Sequence, residues 1–153
     1  MSRRGFTLLE LVIVCAVVGL IGVIAVPRLL DSFRQQATIV AADRFVRAHE
    51  LTRATAVRYG RVAQLHIDPV GGRFWVDVDT SGTSIRDTVG PIHYDLKDLK
   101  VQMTSGDSLM CFDARGLPST TASKCQAQNV MLVFSSSGRY DTVNITTLGK
   151  VLR

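Results

Sequence analysis

Histidine and cysteine are scarce in this chain, with three of each among 153 residues. His49, His66 and His93 stand too far apart in sequence to share a metal-binding face. No histidine lies near a cysteine and no second cysteine pair exists, which excludes a zinc-ribbon or zinc-finger pattern. Serines are present at 81, 84 and 135–137, but none sits in a nucleophile elbow. Gly71-Gly72 reads as a hairpin turn, because a phosphate loop needs a longer glycine pattern opening a helix. The pairs Asp77/Asp79 and Asp95/Asp98 fit exposed strand and turn positions better than an acid–base dyad. Trp75, between Phe74 and Val76, fits packing better than a stacking platform. There is no internal repeat, no long disordered tract and no sign of a cofactor. The chain therefore reads as a non-enzyme. One further absence is informative: no small-residue cleavage site follows the long apolar run, as it would in an ordinary signal peptide.

That run is the chain's dominant feature. Arg3 and Arg4 lead into Phe6–Val26, 21 residues that carry a single charged side chain, Glu10. At about 1.5 Å per residue the run spans roughly 30 Å as a helix, the thickness of a bilayer's hydrocarbon core. The leading arginines predict a cytoplasmic N-terminus and translocation of the remainder. A carboxylate within a membrane segment costs a few kcal/mol unless it is partnered. Glu10 either reaches the headgroups or pairs with a cation on a neighbouring copy. A processing point at Gly5–Phe6 would lie before the apolar run. It would leave the whole helix in the mature protein and create such a cation, the amino group of Phe6.

Residues 3–27 resemble the prepilin signal of type IV pilins and type II secretion pseudopilins. The resemblance implies cleavage by a prepilin peptidase after Gly5, N-methylation of Phe6, and Glu10 as the assembly glutamate. It implies a bacterial inner-membrane protein with a single span, a periplasmic C-terminal domain, and later incorporation into a pilus or pseudopilus. Its partners would be the peptidase, the inner membrane and other major and minor pilins or pseudopilins.

Beyond the span, charge is uneven. Residues 28–61 hold seven arginines against three acids, whereas residues 62–153 balance nine against nine. The basic excess lies on a helix whose expected apolar stripe comprises Leu30, Phe33, Ala37, Ala41, Ala48, Leu51 and Thr55, with Val40 and Phe45 at its margins. Arg44 intrudes on that stripe and must snorkel outward. The basic stripe could meet anionic headgroups or nucleic acid, or form a solvated face that contacts filament neighbours. One helix, bent or broken at Pro27, is expected from about Phe6 to Tyr59, ending at Gly60.

After Gly60 the period becomes two. Residues 61–68 and 73–79 predict a hairpin around 69–72, and 80–84 predict a loop. Strands are expected at 99–103 and 109–113, and a second hairpin at 130–145 turns at 135–138. The tail from Leu148 forms an edge segment. The expected fold class is α+β: a long N-terminal helix, its first half in the membrane, packed against antiparallel sheet. The divisions are a leader at 1–5, a membrane or filament-core helix at 6–27, an amphipathic half at 28–60 and a β domain at 61–153. Cys15 lies mid-span as a small apolar residue. Cys111 and Cys125 lie in the exported part, where a bond between them would close a loop of about 15 residues.

Residues 45–61 resemble the late-helix signature of the GspH/FimT family of minor pilins and pseudopilins. Leu51, Arg53, Ala56 and Val57 match it; Ala54 and Thr55 replace the usual Ser and Glu. Phe112-Asp113-Ala114-Arg115-Gly116-Leu117-Pro118 is similar to the family's F-x-x-x-G-x-P turn, and the Leu148-Gly149-Lys150 end is similar to the family's C-terminus. The resemblance implies a pilin fold and a structural subunit that initiates or caps a type IV pilus or a type II secretion pseudopilus. An alternative is a DNA-binding minor pilin for DNA uptake, using Lys150, Arg153 and Arg139. FimT-type tails carry Gly-Arg-x-Arg, whereas here Leu152 occupies the place of the second arginine. Positions 150 and 152 share a strand face and 153 points the other way. A third reading is a membrane-tethered domain that never assembles and keeps its leader.

Overall fold

A computed structural model describes residues 8–91, 93–120, 125 and 129–153. The chain divides into two compact units, residues 1–34 and 35–153. Helix α1 (Leu8–Tyr59) runs through Pro27, so of the two outcomes expected there, bent or broken, the helix is not broken. Proline removes one ladder bond, to the carbonyl four residues back, and leaves the turns on either side hydrogen-bonded.

In the first unit, every leucine, isoleucine and valine of α1 from Leu8 to Leu30 is exposed. The helix is long and apolar enough to cross a membrane, with a mean hydropathy of 2.9 over its most apolar window. Cys15 is an exposed free thiol within this stretch.

The second unit contains the core. Thr38, Ala41, Ala42, Phe45, Ala48, His49, Thr52, Thr55 and Ala56 are buried. These positions recur at spacings of three and four, one continuous face of a helix. The face differs from the expected stripe at its N-terminal end and in its middle, whereas Thr55 is buried as expected. Leu30 and Phe33 are exposed, and Phe45 is central rather than marginal. Alanines at 41, 42 and 48 leave room on either side of Phe45, which lets the largest side chain occupy the middle. Two of the buried threonines are satisfied locally: Thr38 Oγ1 donates to the Gln35 carbonyl at 2.8 Å and Thr52 Oγ1 to the Ala48 carbonyl at 2.6 Å. Gly60, at φ +63°, ends the helix in a Schellman arrangement. Arg61 N donates to Ala56 O at 3.1 Å and Gly60 N to Val57 O at 3.3 Å.

Strands β1 (Ala63–Asp68) and β2 (Arg73–Val78) pair antiparallel from Ala63↔Val78 to Asp68↔Arg73. Two short strands, β3 (Asp87–Thr88) and β4 (Tyr94–Asp95), add to β2. Strand β5 (Gln102–Ser105) belongs to a second sheet, and β6 (Leu109–Phe112) pairs with β1. The second sheet is completed by β7 (Val130–Ser136), β8 (Arg139–Ile145) and β9 (Val151–Leu152), in the order β5-β7-β8-β9. Leu65, Phe74, Val76, Phe112, Leu132, Phe134, Val143 and Ile145 supply the inner faces. Buried positions alternate along β2, along β7 (Val130, Leu132, Phe134 and the polar Ser136) and at the end of β8 (Val143, Ile145). Phe45 meets Phe74 of the first sheet edge-on at 5.3 Å and Phe134 of the second at 6.1 Å.

The expected strand at 99–103 is displaced. Lys97–Leu99 forms a 3-10 turn, and Lys100 adopts the left-handed region at φ 54°. That reversal delays the strand to Gln102. Strands β3 and β4, two residues each, carry no sequence signal, because two residues establish no period. The β7–β8 turn is tighter than expected. Ser136 pairs with Arg139, leaving only Ser137 (φ 49°) and Gly138 (φ 82°), a type I′ geometry.

Cys111 on β6 is disulfide-bonded to Cys125, with Cα atoms 5.5 Å apart. The return segment lies along β6: Ser119 N donates to Cys111 O at 2.9 Å, and Phe112 bridges to Pro118. Closing this loop stabilises the domain by about 3 kcal/mol, chiefly through the unfolded state. Replacing both cysteines by serine is expected to lower the melting temperature by roughly 10 °C, measured by calorimetry under non-reducing conditions.

Candidate assembly surfaces

Glu10 lies in the first turn of α1 and is exposed. Its neighbours one turn away, Ile13 and Val14, are also exposed. The result is an acid set within an apolar helical surface. Gly5 and Phe6 lie outside the described residues.

In the second unit the late-helix arginines divide into two groups. Arg44 snorkels as expected, donating to the Asp95 carbonyl at 2.9 Å and pairing with Asp98 at 3.2 Å. Arg61 pairs with Asp79 at 3.1 Å. Arg53 joins three distant segments. Its Nε donates to Gly116 O at 2.9 Å, and its Nη1 to Gly149 O at 3.4 Å. Arg47 and Arg58 stay on the exposed helix face, with Arg58 over the Tyr59 ring at 5.6 Å. Between this face and the turn after β6 lies an open cleft of about 500 Å³, lined by Glu50, Arg53, Ala54, Val57, Arg58, Arg115 and Gly116.

The turn itself is built by Asp113. Its Oδ1 accepts from Arg115 N at 2.9 Å and Leu117 N at 3.0 Å. These backbone bonds, with the Arg115 guanidinium, hold its carboxyl below the usual range. Gly116 adopts φ +74°, and a Cβ there would stand 3.1 Å from Val57. The positive φ and the close approach both favour glycine. Gly149 likewise sits against Pro118.

The tail residues do not converge. Arg153 pairs with Asp43 of α1 and Asp141 of β8, and donates to the Ile39 carbonyl at 3.3 Å. Lys150 and Leu152 are exposed, and no contact joins Lys150 to this cluster among the described residues. Arg139 begins β8, whereas Lys150 lies beyond its other end, roughly 20 Å away along the strand. Arg153 is thus an internal clamp, and the three cations form no single phosphate track. Among the described residues no group of histidine, cysteine, aspartate and glutamate is placed to hold a metal.

Two arrangements were not legible from sequence. Trp75 is half-buried on the outer face of the first sheet, stacked on His66 at 4.9 Å and edge-on to His93 at 5.2 Å. His66 and Trp75 are direct cross-strand partners, a fact the register supplies. His49 is buried against Phe112, and neither ring nitrogen has a hydrogen-bond partner among the described residues. Its spacing from Phe45 and Thr52 was the available signal.

A long apolar helix with a lone acid near its start, continuing into a face packed on antiparallel sheets, defines a pilin-class filament subunit. The first 26 residues match the prokaryotic N-terminal methylation motif. The chain belongs to the family described as type II transport protein GspH, whose model matches residues 41–149. Among relatives, the type IV narrow pilus major component PilA5 of Thermus thermophilus is 36% identical over 90 residues, covering 54% of this chain and 78% of that protein. The minor pilin FimU of Pseudomonas aeruginosa superimposes with a TM-score of 0.56 at 14% identity, covering 75% of this chain and 86% of FimU. The minor pseudopilin EpsH of Vibrio cholerae gives 0.56 at 13% identity, covering 75% and 94%. These structures share the fold.

Burial, and then the charge of Arg53 one turn on, pushes the His49 pKa down to about 4. An unfolded chain takes up that proton near pH 6.5, so stability falls as pH drops from 6.5 through 4. The loss is about 3 kcal/mol when complete. Unfolding free energies from urea melts at pH 7 and pH 4 should differ by about 3 kcal/mol less in His49→Leu than in the parent.

Proposed function

We propose that this chain is a minor pilin or pseudopilin that initiates or caps a type IV pilus or type II secretion pseudopilus, with no catalytic role. The observation that carries this reading is the methylation-motif match over residues 1–26, joined to an exposed apolar helix bearing Glu10. In this reading residues 1–5 are removed by a prepilin peptidase that cuts between Gly5 and Phe6. Residues 6–27 hold the precursor in the bacterial inner membrane, with the N-terminus cytoplasmic and residues 61–153 periplasmic. On assembly the same helix exchanges lipid for neighbouring helices. Apolar packing is non-directional and leaves axial register undefined. Glu10 supplies register by pairing with the Phe6 amino group of a neighbour. At 4 Å and an effective dielectric of about 20 the attraction is about 4 kcal/mol.

The DNA-uptake alternative receives no support from the tail, because Arg153 is occupied and Arg139 and Lys150 stand apart. The exposed Arg47 and Arg58 suit a filament contact with an acidic neighbour.

Mass spectrometry of the mature protein is expected to find a chain that begins at N-methylated Phe6. An intact leader supports the tethered, non-assembling reading instead. Glu10→Val is expected to insert in the membrane normally and to be lost from sheared filaments or co-purified subunits. Undiminished incorporation of that variant refutes the pairing role.

A further inference from the structure

The second sheet carries a polar cavity apart from the surfaces described above. It measures about 320 Å³ and is lined by Lys100, Gln102, Ser135–Ser137, Gly138 and Tyr140. Register explains the side-chain row at its mouth. Gln102 pairs with Ser135, and Ser135 with Tyr140, so an amide, a hydroxyl and a phenol stand abreast across β5, β7 and β8. Adjacent strands are about 4.8 Å apart, so the row spans about 10 Å, close to the width of one sugar ring with its substituents.

The backbone at this site is unusual. Among the described residues three non-glycines have positive φ, and two of them, Lys100 and Ser137, line this cavity. A type I′ turn favours Asn, Asp or Gly at the position Ser137 holds. Lys100 leaves the 3-10 turn in the same left-handed region. Strain of this kind clusters at functional sites, where the surroundings hold it in place. Ser136, 8% exposed, secures the floor by donating to the Lys100 carbonyl at 3.3 Å.

The lining selects the ligand class. A cavity this polar gives an apolar molecule little, and it favours one that brings its own donors and acceptors. The serine hydroxyls donate and accept, and the Gln102 amide does both. Tyr140, 72% exposed, offers a ring face to the C–H face of a pyranose. Lys100 adds a single positive charge, which matches one carboxylate rather than a run of phosphates.

We propose that this cavity binds a hexuronic acid unit of an anionic polysaccharide, its carboxylate on Lys100, its hydroxyls on Gln102, Ser135 and Ser137, and its ring on Tyr140.

The test titrates the full chain in detergent micelles with glucuronate, glucose, inorganic phosphate and a single-stranded oligonucleotide, read by amide shifts in isotope-labelled protein. Glucuronate should move residues 100–102 and 135–140 together, with glucose binding about tenfold more weakly or worse. Tyr140→Ala should weaken glucuronate by about tenfold, the scale of one lost aromatic contact. Lys100→Gln should abolish the preference for glucuronate over glucose. Both variants should keep the shifts of the distant β1–β2 hairpin, which verifies the fold. Silence at saturating glucuronate overturns the proposal. Equal response to phosphate overturns it in favour of a bare oxyanion site, and response to the oligonucleotide alone overturns it in favour of nucleic acid.

Discussion

Phe45 is the side chain on which the packed unit depends. It contacts Phe74 of one sheet and Phe134 of the other, and no other described aromatic pair joins a helix residue to both. Two antiparallel sheets with separate strand orders need a common apolar surface. The late helix provides one because small residues at 41, 42 and 48 flank the ring. Replacing such a buried ring by a small residue typically costs about 3–5 kcal/mol, a large fraction of a domain's net stability.

Arg53 makes a second joint, of polar character. The family-like features in the late helix, in the turn after β6 and near the chain end lie far apart in sequence. In space they meet at one guanidinium, bonded to the carbonyls of Gly116 and Gly149. Glycine suits both positions: each has φ +74°, and a Cβ would stand 3.1 Å from Val57 at Gly116 and 3.1 Å from Pro118 at Gly149. The disulfide from Cys111 of β6 closes the loop that returns beside Pro118 and Ser119. A departure such as Thr55 for glutamate leaves this joint intact, because Thr55 is buried and takes no part in it.

The arginine excess of the late helix resolves into parts with different work. Arg44, Arg53 and Arg61 tie the helix to loops of the β domain, whereas Arg47 and Arg58 stay outward. At the chain end, Arg153 turns inward to Asp43 and Asp141 while Lys150 stays outside. Net charge counted along a sequence cannot separate such roles, since pairing depends on partners up to 110 residues distant.

Local chemistry alone determined the apolar run with its single acid, the helix end at Gly60, both hairpins and the alternation of β2, β7 and β8. Each rests on residues within a few positions of one another, so a short window contains the whole cause. Tertiary structure decided the rest. The buried face centres on Phe45 and excludes Leu30 and Phe33, because burial depends on where the sheets lie. Lys100 reverses the chain and delays β5, and β3 and β4 form only by pairing with β2. His49 loses its solvent and Arg53 finds two carbonyls because strands distant in sequence close over the helix. Contacts of that range appear in no local pattern; they exist only once the two sheets have packed.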